Sequence, residues 1–308
     1  MWTPSGLIWE SLWRLVVSNQ QRARLLLRYA NLVKLPHTVF ALPFALLGVV
    51  YGSWHASVTW GRVLLVIVAF TAARFAAMAF NRVVDRKMDS LNPRTRRREL
   101  PDRNLTVVQV VVSVIAAGAV FIGAAALLNP LCFRLAPLAL VWILTYSYTK
   151  RFTSWSHLWL GASLAIAPAG GYIAVTGAWS EPWWTLPVMA IAVITWVGGF
   201  DMFYALQDER FDREQGLKSA VVLLGKARSI MLAKALHGVT IVALVAFGLW
   251  TGFGPVYLVG VGIAAAVLVW EHQLVRPNDL SRLDAAFFTM NGVMSIIVFL
   301  GALGDRLL

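Results

Sequence analysis

The chain has 308 residues, a single cysteine, Cys132, and only 15 acidic residues. One cysteine excludes an intramolecular disulfide and any cysteine-built metal centre. Charged residues of both signs make up 14% of the sequence, where a soluble domain carries about 25%. Hydrophobic residues make up 59%. So few charges among so many apolar residues exclude a soluble globular domain, and the apolar content excludes a disordered chain. The first 34 residues lack a small-residue cleavage site, so neither a signal peptide nor a transit peptide is expected.

What is present is a recurrence of long apolar runs from Leu35 to Leu303, with a mean hydropathy of +0.69. A spanning helix needs about 20 mostly apolar residues. That rule predicts nine helices near 35–54, 62–84, 106–128, 131–149, 155–176, 183–206, 228–250, 253–270 and 284–303. The expected fold class is all-α: a polytopic membrane protein, a bundle of nine transmembrane helices around a central cavity. Two parts are expected, a cytoplasmic amphipathic segment over 1–34 and a transmembrane domain over 35–308. Within the first, Leu, Trp and Val mix with Arg14, Arg22, Arg24, Arg28 and Lys34, the pattern of a helix lying on the inner leaflet.

The formal net charge is +12. Membrane topology accounts for it, because cytoplasmic loops collect Lys and Arg. With the N-terminus inside, 23 of the 27 Lys and Arg fall on the inner side. No nucleic-acid partner is needed, and no obligate protein partner is evident.

The few acidic residues are not scattered. Five aspartates sit in two short stretches, Asn81-Arg-Val-Val-Asp85-Arg-Lys-Met-Asp89 and Asp201-Met-Phe-Tyr204-Ala-Leu-Gln-Asp208-Glu-Arg-Phe-Asp212. Spacing of four puts Asn81, Asp85 and Asp89 on one helix face, and likewise Tyr204, Asp208 and Asp212, with Asp201 joining at i, i+7. The stretches superpose with a constant offset of 123 residues, on predicted helices 2 and 6 that run in the same direction. Carboxylates at helix C-termini are electrostatically unfavourable, and carboxylates four apart repel. Two such clusters at one depth call for a cation. Oxygen-only ligands suit a hard ion, Mg²⁺ before Ca²⁺, and Mg²⁺ completes its shell with water and substrate phosphates. Candidate metal ligands are Asn81, Asp85, Asp89, Asp208 and Asp212, and a phosphorylated or diphosphorylated substrate follows. Arg94, Arg96, Arg97, Arg98, Lys150, Arg151 and Lys218 flank the same surface and could hold diphosphate oxygens. Arg74 is deeper, eleven residues before Asp85 and about 16 Å along the helix. A buried arginine is costly, so it should face the interior toward a substrate carboxylate, a cavity wall or a buried structural partner.

The pair NxxxDxxxD and DxxYxxxDxxxD resembles the UbiA superfamily of membrane prenyltransferases, and the resemblance extends over nearly the whole chain. Asn-Pro-Arg-Thr at 92–95, Tyr-Thr-Lys-Arg-Phe-Thr at 148–153 and Gly-Leu-Lys-Ser at 216–219 are similar to that family's inner loops. Leu-Pro-His-Thr-Val-Phe-Ala-Leu-Pro-Phe-Ala-Leu at 35–46 resembles helix 1 of its 4-hydroxybenzoate polyprenyltransferase-like branch. Arg82 stands where many members carry a second acid, which removes one carboxylate from helix 2 and is similar to a quinone-pathway subgroup.

The resemblance implies a Mg²⁺-dependent enzyme that moves a polyprenyl group from polyprenyl diphosphate to an aromatic acid of 4-hydroxybenzoate type, in quinone biosynthesis at the inner membrane, with its active site at the cytoplasmic face. Asp85, Asp89, Asp208 and Asp212, with Asn81, would hold metal on the diphosphate; Lys150, Arg151, Lys218 and Arg94 would stabilise the departing group. Tyr204 and Asp201 would position the acceptor or shield the cation, and Arg74 would meet the acceptor carboxylate. Two alternatives stand beside this: a hydroxynaphthoate acceptor in a menaquinone route, and, from another class, a cation-coupled transporter. The parallel repeat and the gathering of carboxylates at one surface argue against the transporter.

Overall fold

A computed structural model describes residues 25, 27–34 and 36–308. Among the described residues the regular structure is helical, with one isolated bridge between Arg276 and Asp279. The helices are α1 (Pro36–Gly52), α2 (Trp60–Leu91), α3 (Val107–Leu128), α4 (Pro130–Thr145), α5 (Ser156–Thr176), α6 (Thr185–Ala205), α7 (Glu209–Glu214), α8 (Ala220–Leu224), α9 (Lys226–Thr251), α10 (Pro255–Leu274) and α11 (Asn291–Leu307). A 3₁₀ turn, Tyr146–Arg151, extends α4, and a π-helical stretch, Ala285–Met290, precedes α11.

Among the described residues, eight helical segments are long and apolar enough to cross a membrane, and this is a multi-pass membrane protein. The first predicted span, 35–54, corresponds to α1, which at 17 residues is shorter than any of these eight segments. Most of the expected amphipathic segment 1–34 lies outside the described residues. Its end does not simply lie on a surface: Leu32 and Val33 are buried with Ala79 of α2 and Leu100, Leu105 and Val110.

Lipid tails are as apolar as leucine, so helices in a bilayer associate by close packing rather than by a hydrophobic force. The contact of α1 with α5 is an example. A Cβ on Gly48 would collide with the Pro168 carbonyl, and one on Gly171 with the Ala45 carbonyl. Glycine at both positions lets the two backbones touch.

The helix that carries the second motif is held by polar bonds as well. Trp196 Nε1 donates to Asn291 Oδ1 at 2.6 Å, and Asn291 Nδ2 donates to Glu271 Oε1 at 2.9 Å. Thr195 and Thr240 hydroxyls meet at 2.8 Å. All five side chains are buried. Inside the apolar bundle, unpaired polar groups would cost several kcal/mol each, so this network fixes α6 against α9, α10 and α11.

Candidate active site

Sequence spacing and structure agree on the first motif. Helix α2 runs without Gly or Pro from Arg62 to Leu91, so Asn81, Asp85 and Asp89 stack on one face. Asn81 Nδ2 donates to Asp85 Oδ2 at 2.8 Å.

The second motif differs from the prediction of one continuous helix. Helix α6 ends at Ala205, Leu206–Asp208 form a tight turn, and α7 restarts at Glu209 with Asp208 at its N-cap. Tyr204 and Asp208 therefore do not share a helix face. The dipole argument changes sign too: Asp208 and Asp212 stand at a helix N-terminus, where negative charge is favoured. The turn still brings both motifs to one end of a single cavity.

That cavity has a volume of about 810 Å³ and reaches from Asp85 and Asp208 past Arg74 to Trp179. Beyond Arg74 its walls are mainly apolar, among them Phe70, Ile173 and Leu164.

Each clustered carboxylate has a cationic neighbour. Arg94 binds Asp208 through Nε, at 3.0 Å from Oδ1, and through Nη2 onto Oδ2, while Asn92 Nδ2 adds a bond to Oδ1 at 3.1 Å. Lys150 Nζ donates to Asp212 Oδ2 at 3.0 Å. Arg98 Nη1 donates to Asp89 Oδ1 at 2.7 Å. Arg151 lies 3.7 Å from Asp85 Oδ1 and also donates to the Val84 carbonyl. Burial would raise the Asp208 carboxyl, but the hydrogen bonds and charge of Arg94 outweigh it and hold the group below the usual carboxylate range. At Asp212 burial prevails over Lys150, and the carboxyl is raised.

Tyr204 is held from two sides, by Arg94 Nη1 at 2.8 Å and Lys34 Nζ at 3.2 Å on its hydroxyl. Its ring packs on Phe287, presented by the π-helical stretch, with centroids 4.6 Å apart. Asp201 pairs with His157 at 2.6 Å. Arg74 lines the deeper cavity wall. Arg96, Arg97 and Lys218 are the candidates the structure leaves outside the cavity: all three are exposed, and Lys218 donates to the Phe152 carbonyl at 3.3 Å, while its backbone N–H binds the Lys150 carbonyl. Its role is to brace the turn that carries Lys150.

Sequence reasoning missed two cavity residues. Lys34 counted only toward topology, and His157 was not singled out. Their partners, Tyr204 and Asp201, are 170 and 44 residues away, so no local spacing reveals them. The available signal was placement, since both lie at the predicted inner ends of apolar helices.

Among the described residues, no three His, Cys, Asp or Glu side chains converge on one point. The donor chemistry nevertheless fits Mg²⁺. All candidate ligands are oxygen donors facing one cavity, and Asp89 Oδ2 is buried with no hydrogen-bond partner. Mg²⁺ takes one or two carboxylates and fills its shell with water and phosphate oxygens, so two separate carboxylate pairs suit an ion that arrives with a diphosphate.

Comparison with known proteins agrees with this geometry. The UbiA prenyltransferase family model matches residues 41–293. The 4-hydroxybenzoate octaprenyltransferase of Alkalilimnicola ehrlichii is 30% identical over 283 residues, covering 90% of this chain and 94% of that protein. The apo structure of a UbiA homolog from Aeropyrum pernix K1 superposes with a TM-score of 0.80 at 31% identity, covering 87% of this chain and 98% of that one. A UbiA homolog from Archaeoglobus fulgidus bound to DMAPP and Mg²⁺ shares the fold, with a TM-score of 0.66 at 17% identity, covering 91% and 99%. By a match that spans most of its helices and both acidic motifs, this chain belongs to the UbiA prenyltransferase family and is a prenyl-transferring membrane enzyme.

Proposed function

We propose that this enzyme transfers a polyprenyl group from polyprenyl diphosphate to an aromatic acid of the 4-hydroxybenzoate type, as a step of quinone synthesis. The observation that carries the reading is the cavity itself. One end holds paired acidic and basic side chains, a single arginine stands deeper, and a long apolar reach lies beyond it. The relatives named 4-hydroxybenzoate octaprenyltransferase support the acceptor. The lysine and arginine bias of the predicted inner loops supports an inner-membrane protein with residues 1–34 and the acidic end on the cytoplasmic side.

Asn81, Asp85, Asp89, Asp208 and Asp212 would hold Mg²⁺. When bound, the ion neutralises the diphosphate and stabilises charge on it as it departs. Arg94, Lys150 and Arg151 bind the diphosphate oxygens not held by metal, so that charge developing on the leaving group meets preorganised donors. The allylic C–O bond then breaks. The apolar walls around the new carbocation exclude water, which would otherwise quench it. Tyr204, fixed by Lys34 and Arg94, shields the face toward the diphosphate. Arg74 binds the acceptor carboxylate and aims the electron-rich ring at the prenyl C1.

The test is direct. Purified full-length protein in nanodiscs, given Mg²⁺, a polyprenyl diphosphate and a panel of aromatic acids, should prenylate 4-hydroxybenzoate. Prenylation of a hydroxynaphthoate alone would reassign the acceptor, and no prenylated product from any acid would reject the reading.

A further inference from the structure

Prenylating an aromatic carbon leaves one task undone. The ring must lose a proton inside a cavity that excludes water, and a base has to receive it. Most carboxylates lining the cavity are poor candidates, because Asp85, Asp89, Asp208 and Asp212 each lie against an arginine or lysine. Among the described residues, Asp201 is the cavity carboxylate whose ion-pair partner is a histidine.

His157 is 0% exposed at the start of α5. Its Nδ1 lies 2.6 Å from Asp201 Oδ2, and its Nε2 is buried without a protein partner. An ionised carboxylate can only accept, so Nδ1 carries the hydrogen and donates it. Both residues line the cavity. Asp201 sits one helical turn before Tyr204, away from the diphosphate-binding end and toward the depth at which Arg74 stands.

We propose that Asp201 is the base that takes the aromatic proton and that His157 is its positioning residue, an inference that rests on the aromatic transfer read above. Ring π-electrons form the C–C bond to the prenyl C1, leaving one ring carbon bearing both the prenyl group and a hydrogen. That C–H bond breaks, its electron pair restores the aromatic sextet, and the proton passes to Asp201 Oδ1. The His157 Nδ1–H bond to Oδ2 holds the carboxylate in place throughout. The carboxylate is regenerated when the proton passes to water as the product leaves.

The experiment uses the full chain in nanodiscs with Mg²⁺, a polyprenyl diphosphate and 4-hydroxybenzoate, either protiated or deuterated beside the hydroxyl. Wild type should turn over with an isotope effect near unity, because ionisation limits the rate. His157→Phe should lower kcat by about ten- to a hundredfold, a share of the 10²–10⁴ that a general base supplies. It should also unmask a ring-deuterium isotope effect and leave the KM for prenyl diphosphate unchanged. His157→Gln can keep an N–H on Asp201 and should restore most of the rate. Asp201→Asn should show the same unmasked isotope effect, and it carries the test if His157→Phe does not fold. Slow turnover with a unit isotope effect in both variants would overturn the proposal, as would wild-type rates in either. If wild type itself prenylates no aromatic acid, the functional reading fails first and this inference falls with it.

Discussion

Asp208 is a proposed metal ligand, yet both its oxygens are bound by Arg94 and one also accepts from Asn92. A cation that coordinates Asp208 must displace at least one Arg94 contact. Arg94→Gln should therefore tighten metal binding when no diphosphate is present, the opposite of what loss of a site residue usually does. Hydrogen bonds to charged groups are worth roughly 1.5–3 kcal/mol. The Arg94 side chain is 29% exposed and that of Asp208 10%, so water screens part of this and the lower figure applies. About 1.5 kcal/mol is roughly a tenfold gain in affinity. Mn²⁺ titration followed by electron paramagnetic resonance on the protein in nanodiscs reads it directly. In the same variant kcat should fall, because the departing diphosphate loses a donor, and the KM for prenyl diphosphate should rise. Mn²⁺ affinity that is unchanged or weaker in Arg94→Gln would refute the competition between metal and arginine for Asp208.

Other outcomes can be checked on the same preparation. Excess chelator should abolish turnover and Mg²⁺ should restore it; full activity in chelator would end the metal reading. Asp85→Ala and Asp208→Ala should each lose turnover by at least about 2.7–4 kcal/mol of barrier, the scale of a lost oxyanion donor, while thermal melts show a folded protein. Arg74→Leu should raise the KM for the aromatic acid by about one to two orders of magnitude, as expected for charge-assisted bonds of roughly 1.5–3 kcal/mol, and leave the KM for prenyl diphosphate alone. The Asp212 carboxyl is raised by burial and pulled back by Lys150, so its charge is lost as pH falls, at a pH above the ordinary aspartate range. Lys150→Met removes the pull, and the acid limb of kcat/KM should move to higher pH; an unmoved limb would separate Asp212 from the rate. The Asp208 carboxyl is depressed in the fold, so its contribution to stability is complete above the unfolded value near 4 and is lost as pH falls below it. Asp208→Asn should flatten the melting temperature in that acid range.

The spans were legible from the length of the apolar runs, and the first motif from helix periodicity. Nothing between Arg62 and Leu91 interrupts α2, so spacing of four translates directly into a shared face. The second motif was legible as a set of residues but not as a shape. Leu206-Gln207-Asp208 has no Gly or Pro to announce a break, and Glu209–Glu214 reads as a continuation of helix. Tertiary contacts decide it instead: Arg94 and Asn92 hold the Asp208 carboxylate, and Leu206 is buried with Ala220 and Val221 of α8. Arg82 shows the same limit. Sequence marks it as a missing acid; in the fold it donates from Nε to the Leu32 carbonyl and lies 3.9 Å from Asp89. It thereby ties the end of the N-terminal segment to the first motif, a link across 50 residues that no spacing rule contains.

The pairing of each acid with a base explains how such a site can exist at a membrane surface before any substrate arrives. Four ionised carboxylates without metal would repel one another and lower the stability of the helix ends that carry them. Arg94 on Asp208, Lys150 on Asp212, Arg98 on Asp89 and Arg151 beside Asp85 remove that repulsion. The same pairs then set the terms of binding. A metal ion alone must break them and leave cations unpaired, and a diphosphate alone must break them and leave carboxylates unpaired. Metal and diphosphate together would satisfy both halves, with the acids holding the ion and the bases the phosphate oxygens. On this reading the two ligands should favour each other reciprocally, as coupled ligands must, and the carbocation would form only where a polyprenyl diphosphate brings its own metal.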